Sequence, residues 1–236
     1  MSAPTPAAPT PTAPTPTAST PRRVALAGAS GQAGRRVLAR LLDAGRDVRV
    51  LVRRADRLPP ALRERLPAAA VHEGDARDPA AARRLLDGAD ALVSTLGMAD
   101  ITVPATDLSD GLRTLLAAMA DAGVRRVIAV ASTVALPHPD GGLRGEQPLP
   151  AWLRNVAAEH VRQYRALVAA GERHDLAWTL FCPATLTPDV AGHYRTVADD
   201  LPAGAVQTGY DDLADAIVRE LDERRFVGRR VGIASD

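Results

Sequence analysis

The chain contains no lysine: every one of its 29 Lys and Arg residues is arginine. That excludes a Schiff-base mechanism, which needs a deprotonatable amine. It also excludes an ATP-binding loop of the Walker type, whose lysine reaches the phosphates, and any catalytic Tyr-x-x-x-Lys pair. Cysteine is nearly absent. Cys182 stands alone, so no internal disulfide can form, and the chain suits a reducing, cytoplasmic setting. With nothing near it in sequence to activate the thiol, Cys182 reads as a core residue. No apolar run approaches the roughly 20 residues that a membrane span requires, so no membrane partner is expected. Neither sign of charge dominates: 29 basic residues face 28 acidic ones, for a net charge of +1. That balance gives no case for nucleic acid as a partner. The histidines (His72, His138, His160, His174 and His193) lack metal-ligand spacing, and HVRQY at 160–164 is not HExxH. No metal site is expected.

What is present begins with a shift in composition. Residues 1–21, MSAPTPAAPTPTAPTPTASTP, carry no charged side chain and little that could build a core. A disordered Pro/Thr/Ala-rich tail is expected there. It has neither the basic start nor the apolar run of a secretory signal. Residues 22–236 fit one α/β domain with a small C-terminal substrate-binding portion.

Within that domain, apolar runs alternate with helical patterns. Strands are expected at Arg23–Ala27, Asp47–Val52, Ala69–His72, Asp90–Thr95, Arg126–Ala131, Ala177–Phe181 and Arg230–Ile233. Helices are expected at Gly34–Ala44, Pro79–Leu86, Leu108–Ala122, Trp152–Ala170 and Asp211–Glu223. Such alternation implies parallel strands joined by right-handed crossovers. The predicted fold is a single-domain, doubly wound Rossmann-type sheet in order 3-2-1-4-5-6, with a possible seventh strand. Leu136–Pro150, rich in Pro and Gly, is expected to be a loop and a rim or lid of the site.

Gly28-Ala-Ser30-Gly31-Gln32-Ala-Gly34 follows the first strand directly and opens the first helix. Small residues there admit a pyrophosphate close to the backbone, and the helix N-terminus offers free N–H groups. The spacing is GxxGxxG rather than GxGxxG, but the strand–loop–helix context that makes such a motif meaningful is met. A nicotinamide dinucleotide is the expected cofactor. Sites for NAD usually carry an acid at the end of the second strand. This chain has Arg53 and Arg54 there, with Arg57 just beyond. An arginine can pair with a 2′-phosphate, so NADPH (NADP) is expected, with Arg53 the first choice of ligand and Arg57 the second. Asp75, after the third strand, is placed near the adenine. Leu96 and Gly97, after the fourth, are placed where the chain passes close to the cofactor.

The runs GASGQAG, VRVLVRRADRLP, GDARD and ALVSTLG resemble an atypical short-chain dehydrogenase/reductase. Residues 107–133 and 157–194 are similar, more narrowly, to flavin reductase/biliverdin-IXβ reductase within the NmrA-like group. The resemblance spans residue 22 to the C-terminus. It implies hydride transfer from NADPH to a planar conjugated small-molecule acceptor, such as a flavin or linear tetrapyrrole, in an open pocket without a metal. It implies a monomer or weak homodimer. Ser132 matches the family's active-site serine, and Pro183 the residue after the sixth strand near the nicotinamide. Two positions depart from the family: Val134 stands where relatives carry an aromatic residue, and Ala184 where they carry a histidine. Both lie where a substrate would stack.

Ser132 can hydrogen-bond the acceptor or the nicotinamide amide. Tyr164 lies on the helix where ordinary short-chain dehydrogenases keep their catalytic tyrosine. Position 168 is Val, so no lysine assists it. An unassisted tyrosine near pKa ~10 can still donate a proton. A packing role is the alternative. His160, one helical turn earlier, shares its face. Two other functional classes fit the same fold: an epimerase, dehydratase or pathway-specific ketoreductase, and a non-enzymatic NADP(H) sensor.

Overall fold

The computed structural model describes residues 20–188 and 190–236; the expected tail, 1–21, lies outside the described residues except for Thr20 and Pro21. β1 (Arg23–Ala27) is buried along four of its five residues. Its side chains alternate between two cores, as strand geometry requires. Val24 and Leu26 point to one core, with Val37, Leu38 and Leu41 of α1 (Gln32–Asp43). Ala25 and Ala27 point to the other.

β2 (Asp47–Val52) leads through the short α2 (Pro60–Arg63) to β3 (Val71–Glu73). Next come α3 (Pro79–Leu86), β4 (Ala91–Ser94), α4 (Asp107–Ala122) and β5 (Arg126–Val130). Pro79 starts α3 where its missing N–H costs nothing, and the Asp78 carboxylate caps the turn by accepting the Ala80 N–H at 2.9 Å. α4 stops at Gly123, whose φ of 71° favours glycine. The long α5 (Arg154–His174) and β6 (Ala177–Pro183) follow. Three short strands, β7 (Thr185–Thr187), β8 (Tyr194–Ala198) and β9 (Gln207–Gly209), precede α6 (Tyr210–Glu223) and β10 (Arg229–Ser235).

The sheet runs β3-β2-β1-β4-β5-β6-β10, parallel throughout this stretch. The expected order is therefore observed, and β10 is the seventh strand. β8 pairs antiparallel with β10, with Ile233 opposite Thr196. β9 meets the end of β10 antiparallel and carries β7 parallel to itself. Helices α1 and α6 cover one face. Leu85 of α3, Leu112 and Met119 of α4, and Leu167 of α5 pack on the other. Because β1 lies between β2 and β4, the chain leaves it in opposite directions along the sheet. A crevice must open at the carboxyl ends of these strands.

Candidate functional site

A cleft of about 450 Å³ occupies that crevice. Gly28, Ser30, Gly31, Gln32 and Ala33 line it from the β1–α1 turn, and Leu51, Val52 and Arg53 from the end of β2. The β3 end contributes Gly74 to Arg77, and the β4 end Thr95 to Ala99. Asp107, Leu108 and Tyr210 close it from the starts of α4 and α6. Eight of the residues expected from the sequence thus meet in one cleft: Gly28, Ser30, Gly31, Gln32, Arg53, Asp75, Leu96 and Gly97.

The three loop glycines are there for three different reasons. Gly28 has φ +89°, and a Cβ on it would lie 2.7 Å from the Thr95 backbone. A Cβ on Gly34 would come within 2.0 Å of the Gly28 carbonyl oxygen, so this buried glycine, just behind the cleft, lets α1 pack on the turn. Gly31 faces no such crowding. Its nearest neighbour would be the Gly28 oxygen at 3.5 Å, and its exposed side looks out into the cleft. Gly31 is also the N-cap of α1, with no side-chain cap and no acid in the first turn. Free N–H groups and the positive end of the helix dipole therefore face the cleft. Gly97 is likewise exposed, with nothing within 4 Å of where a Cβ would stand.

Arg53 is exposed at the end of β2 and, among the described residues, makes no hydrogen bond or ion pair. Its neighbour Arg54 is engaged by Asp56. Arg57 sits exposed on the following turn, Ala55–Arg57, outside the cleft lining. Asp75 is held by Arg77 at 2.7 Å and accepts the Arg77 backbone N–H at 2.8 Å. The hydrogen bond from the Arg77 side chain, opposed by partial burial, keeps its carboxyl at a pKa of about 2. Arg77 also reaches Asp107 at 2.6 Å, tying the β3 and β4 sides of the cleft together.

Ser132 and Pro183 lie outside the cleft lining, farther along the same carboxyl edge, just past β5 and at the end of β6. Ser132 caps the turn Thr133–Ala135 and accepts the Val134 N–H at 3.4 Å. The structure does not bring Tyr164 to the cleft. Its ring stands edge-on to Trp178, centroids 6.2 Å apart, and the Arg230 guanidinium covers it at 4.7 Å. His160 is engaged as well, its Nδ1 2.8 Å from Gln163 Oε1. Nor does Leu136–Pro150 line the cleft. It packs on α5, with Gly145 against Val161 and Val134, and its Arg144 pairs with Asp200 at 2.6 Å.

Thr95 and Tyr210 are among the cleft residues that the sequence reading did not single out. Thr95 adjoins the expected Leu96, and its hydroxyl donates to the Ala27 carbonyl at 3.1 Å, closing the floor. Its place directly after an apolar strand was the available signal. Tyr210 had none, because only the packing of α6 on α1 brings it in. Its ring lies 5.1 Å under the Arg36 guanidinium, which is held by Asp211 at 3.1 Å and donates to the Gln32 carbonyl at 3.1 Å.

Comparison with known proteins agrees with this geometry. A protein of Burkholderia pseudomallei, provisionally described as exported, is 27% identical over 90% of this chain and 98% of its own, with a TM-score of 0.72. A Streptococcus pneumoniae protein provisionally named an NADH-flavin reductase shares the fold at 19% identity, over 91% of this chain and 100% of its own, TM-score 0.74. So does a wide-type short-chain dehydrogenase/reductase of Veillonella parvula in complex with NADP, at 20% identity, 91% and 95% coverage and TM-score 0.69. Residues 28–224, which run from the first loop glycine nearly to the last strand, match the NAD(P)H-binding domain family, and the chain belongs to it.

Proposed function

We propose that the protein is an NADPH-dependent reductase that delivers hydride to a planar conjugated acceptor of flavin or linear-tetrapyrrole type. Arg53 carries the cofactor preference: an exposed guanidinium with no close ion pair stands at the cleft where an NAD site would place a carboxylate. The acceptor class is supported by the resemblance of residues 107–133 and 157–194 and by the name of the Streptococcus pneumoniae neighbour.

The residues present fit the cofactor. Gly31 and the uncapped start of α1 would hold the diphosphate, with Ser30 and Gln32 beside it. Arg53 would take the 2′-phosphate, with Arg57 near enough in sequence to add to the field. Asp75, ionised, would lie on the adenine side, and Leu96 and Gly97 would let the chain pass close to the cofactor. When bound, NADPH supplies the hydride. Ser132 and Pro183 would flank the place where nicotinamide and acceptor meet, Ser132 orienting the acceptor through its hydroxyl. Neither Tyr164 nor His160 lines the cleft, which favours water as the proton source.

The test is absorbance at the NADPH band with FMN, riboflavin and biliverdin offered separately, and NADH as control. Oxidation should depend on one acceptor and run faster with NADPH. Arg53→Ala should weaken NADPH binding about tenfold, ~1.4 kcal/mol, and leave NADH binding as it was. Equal effects on both nucleotides would overturn the assignment of Arg53. One observation favours a second reading, a sensor that binds without turnover: the tyrosine that usually donates a proton is not in the cleft. Tight NADPH binding with no oxidation by any acceptor would select it.

A further inference from the structure

Aromatic side chains are scarce in this chain: two Trp, three Tyr and two Phe. All but one are at least partly buried; Trp152 is 69% exposed. Leaving so large an apolar surface in water forfeits stabilisation that burial would give. Isolated exposed apolar residues need no explanation, but Trp152 is not isolated. Ile101 and Val103 are 48% and 49% exposed on the segment that continues from the cleft. Gly97, Met98 and Ala99 of that segment line the cleft itself. Ile101, two residues beyond Ala99, is within about 7 Å of it by chain reach alone.

The two apolar groups are fastened together. Asn155, one helical turn beyond Trp152, donates its side-chain N–H to the Ile101 carbonyl at 3.3 Å. Farther along α5, Arg162 donates to the Ala105 carbonyl at 2.6 Å, and the buried Glu159 carboxylate accepts the Leu108 N–H at 3.0 Å. The start of α5, which carries Trp152, is thus tied to the exposed segment that leads out of the cleft.

We infer that Trp152, with Ile101 and Val103, is the stacking surface that positions the planar acceptor at the mouth of the cofactor cleft. This rests on the reductase reading. Val134 and Ala184 cannot supply such a surface, because they are only 4% and 9% exposed and neither is aromatic. An indole offers a flat apolar face that matches a conjugated ring system, with geometry favouring offset stacking.

The test compares full-length wild type, Trp152→Ala and Trp152→Phe in NADPH oxidation with FMN, riboflavin and biliverdin, alongside NADPH titration and tryptophan fluorescence. Trp152→Ala should raise the acceptor KM about tenfold with NADPH affinity unchanged, and Trp152→Phe should restore most of the loss. The acceptor should quench wild-type fluorescence strongly and Trp152→Ala, which keeps Trp178, far less. An unchanged acceptor KM and unchanged quenching in a folded Trp152→Ala variant overturn the inference while leaving the reductase reading standing. A wild type that binds NADPH and oxidises it with none of the acceptors overturns both.

Discussion

Gly31 and Gly34 stand three residues apart and should respond oppositely to the same added methyl group. At Gly31 a Cβ meets only ordinary contact at 3.5 Å, and φ is −75°, which any residue adopts. Gly31→Ala should therefore fold as well as wild type, or better by about 0.4–1 kcal/mol through the unfolded chain. It should weaken NADPH about tenfold, since the methyl occupies the face offered to the diphosphate. At Gly34 the Cβ would sit 2.0 Å from the Gly28 oxygen. Gly34→Ala should cost about 1–3 kcal/mol of stability. Thermal denaturation and nucleotide titration read both effects. A Gly31→Ala protein that binds NADPH as tightly as wild type would mean that the diphosphate does not approach that glycine. Side-chain roles were less legible at this scale. Tyr164 sits at the expected place on its helix, but which neighbour it touches depends on β6 and β10, strands that follow it in the chain.

At the scale of the element, α5 shows how one helix organises the site without lining the cleft. Its boundaries were expected at Trp152–Ala170 and lie at Arg154–His174. Residues 151–153 take a tighter turn after Pro150, and the helix runs on until Asp175, at φ 52°, leaves it. Glu159 caps α4, and Gln163 donates to the Val130 carbonyl at 2.9 Å, at the end of β5 just before Ser132. His160 completes that chain. Burial lowers its pKa below the ordinary histidine value, which disfavours the charged form in the folded protein. The unfolded chain then binds more protons than the folded one below the ordinary histidine range, and stability falls as the pH drops from about 6.5 toward the folded pKa. Urea denaturation at pH 7.5 and 5.5 should show this loss in wild type, and a smaller one in His160→Leu. The same pH slope in both proteins would refute the assignment.

Across the whole molecule, α6 is joined to the sheet by a buried ion pair. Arg126 at the start of β5 and Glu220 near the end of α6 are each 3% exposed and 2.9 Å apart. Glu220 also accepts the Thr179 hydroxyl and the backbone N–H groups of Arg225 and Phe226, each at 3.0 Å. Burial lowers the Arg126 pKa, and the carboxylate partly offsets that. Glu220→Ala should lower stability by about 3–5 kcal/mol, because it leaves a buried cation without its counter-charge. Replacing both residues with apolar ones should recover much of the loss, as chemical denaturation can measure. Equal losses in the single and double variants would show that the charges are not coupled. Among the described residues, no helix is long and apolar enough to cross a membrane.

The sequence by itself determined the parallel sheet, its strand order and the glycine turn, because these rest on local signals: period-2 and period-3.6 apolar patterns, and glycines where the chain turns sharply. Arg53 and Asp75 line the cleft because a residue at a strand's carboxyl end is located once the order is known. Only the tertiary structure decided what depends on residues far apart in the chain. β7, β8 and β9 form because β10 offers an antiparallel edge to β8 and β9, and β9 in turn carries β7. Tyr210 joins the cleft through the packing of α6 on α1, and Tyr164 is held away from it by Trp178 and Arg230. Leu136–Pro150 is a loop, as its composition requires, yet it lies on α5 and not over the cleft, because composition sets a segment's flexibility and not the surface it finds.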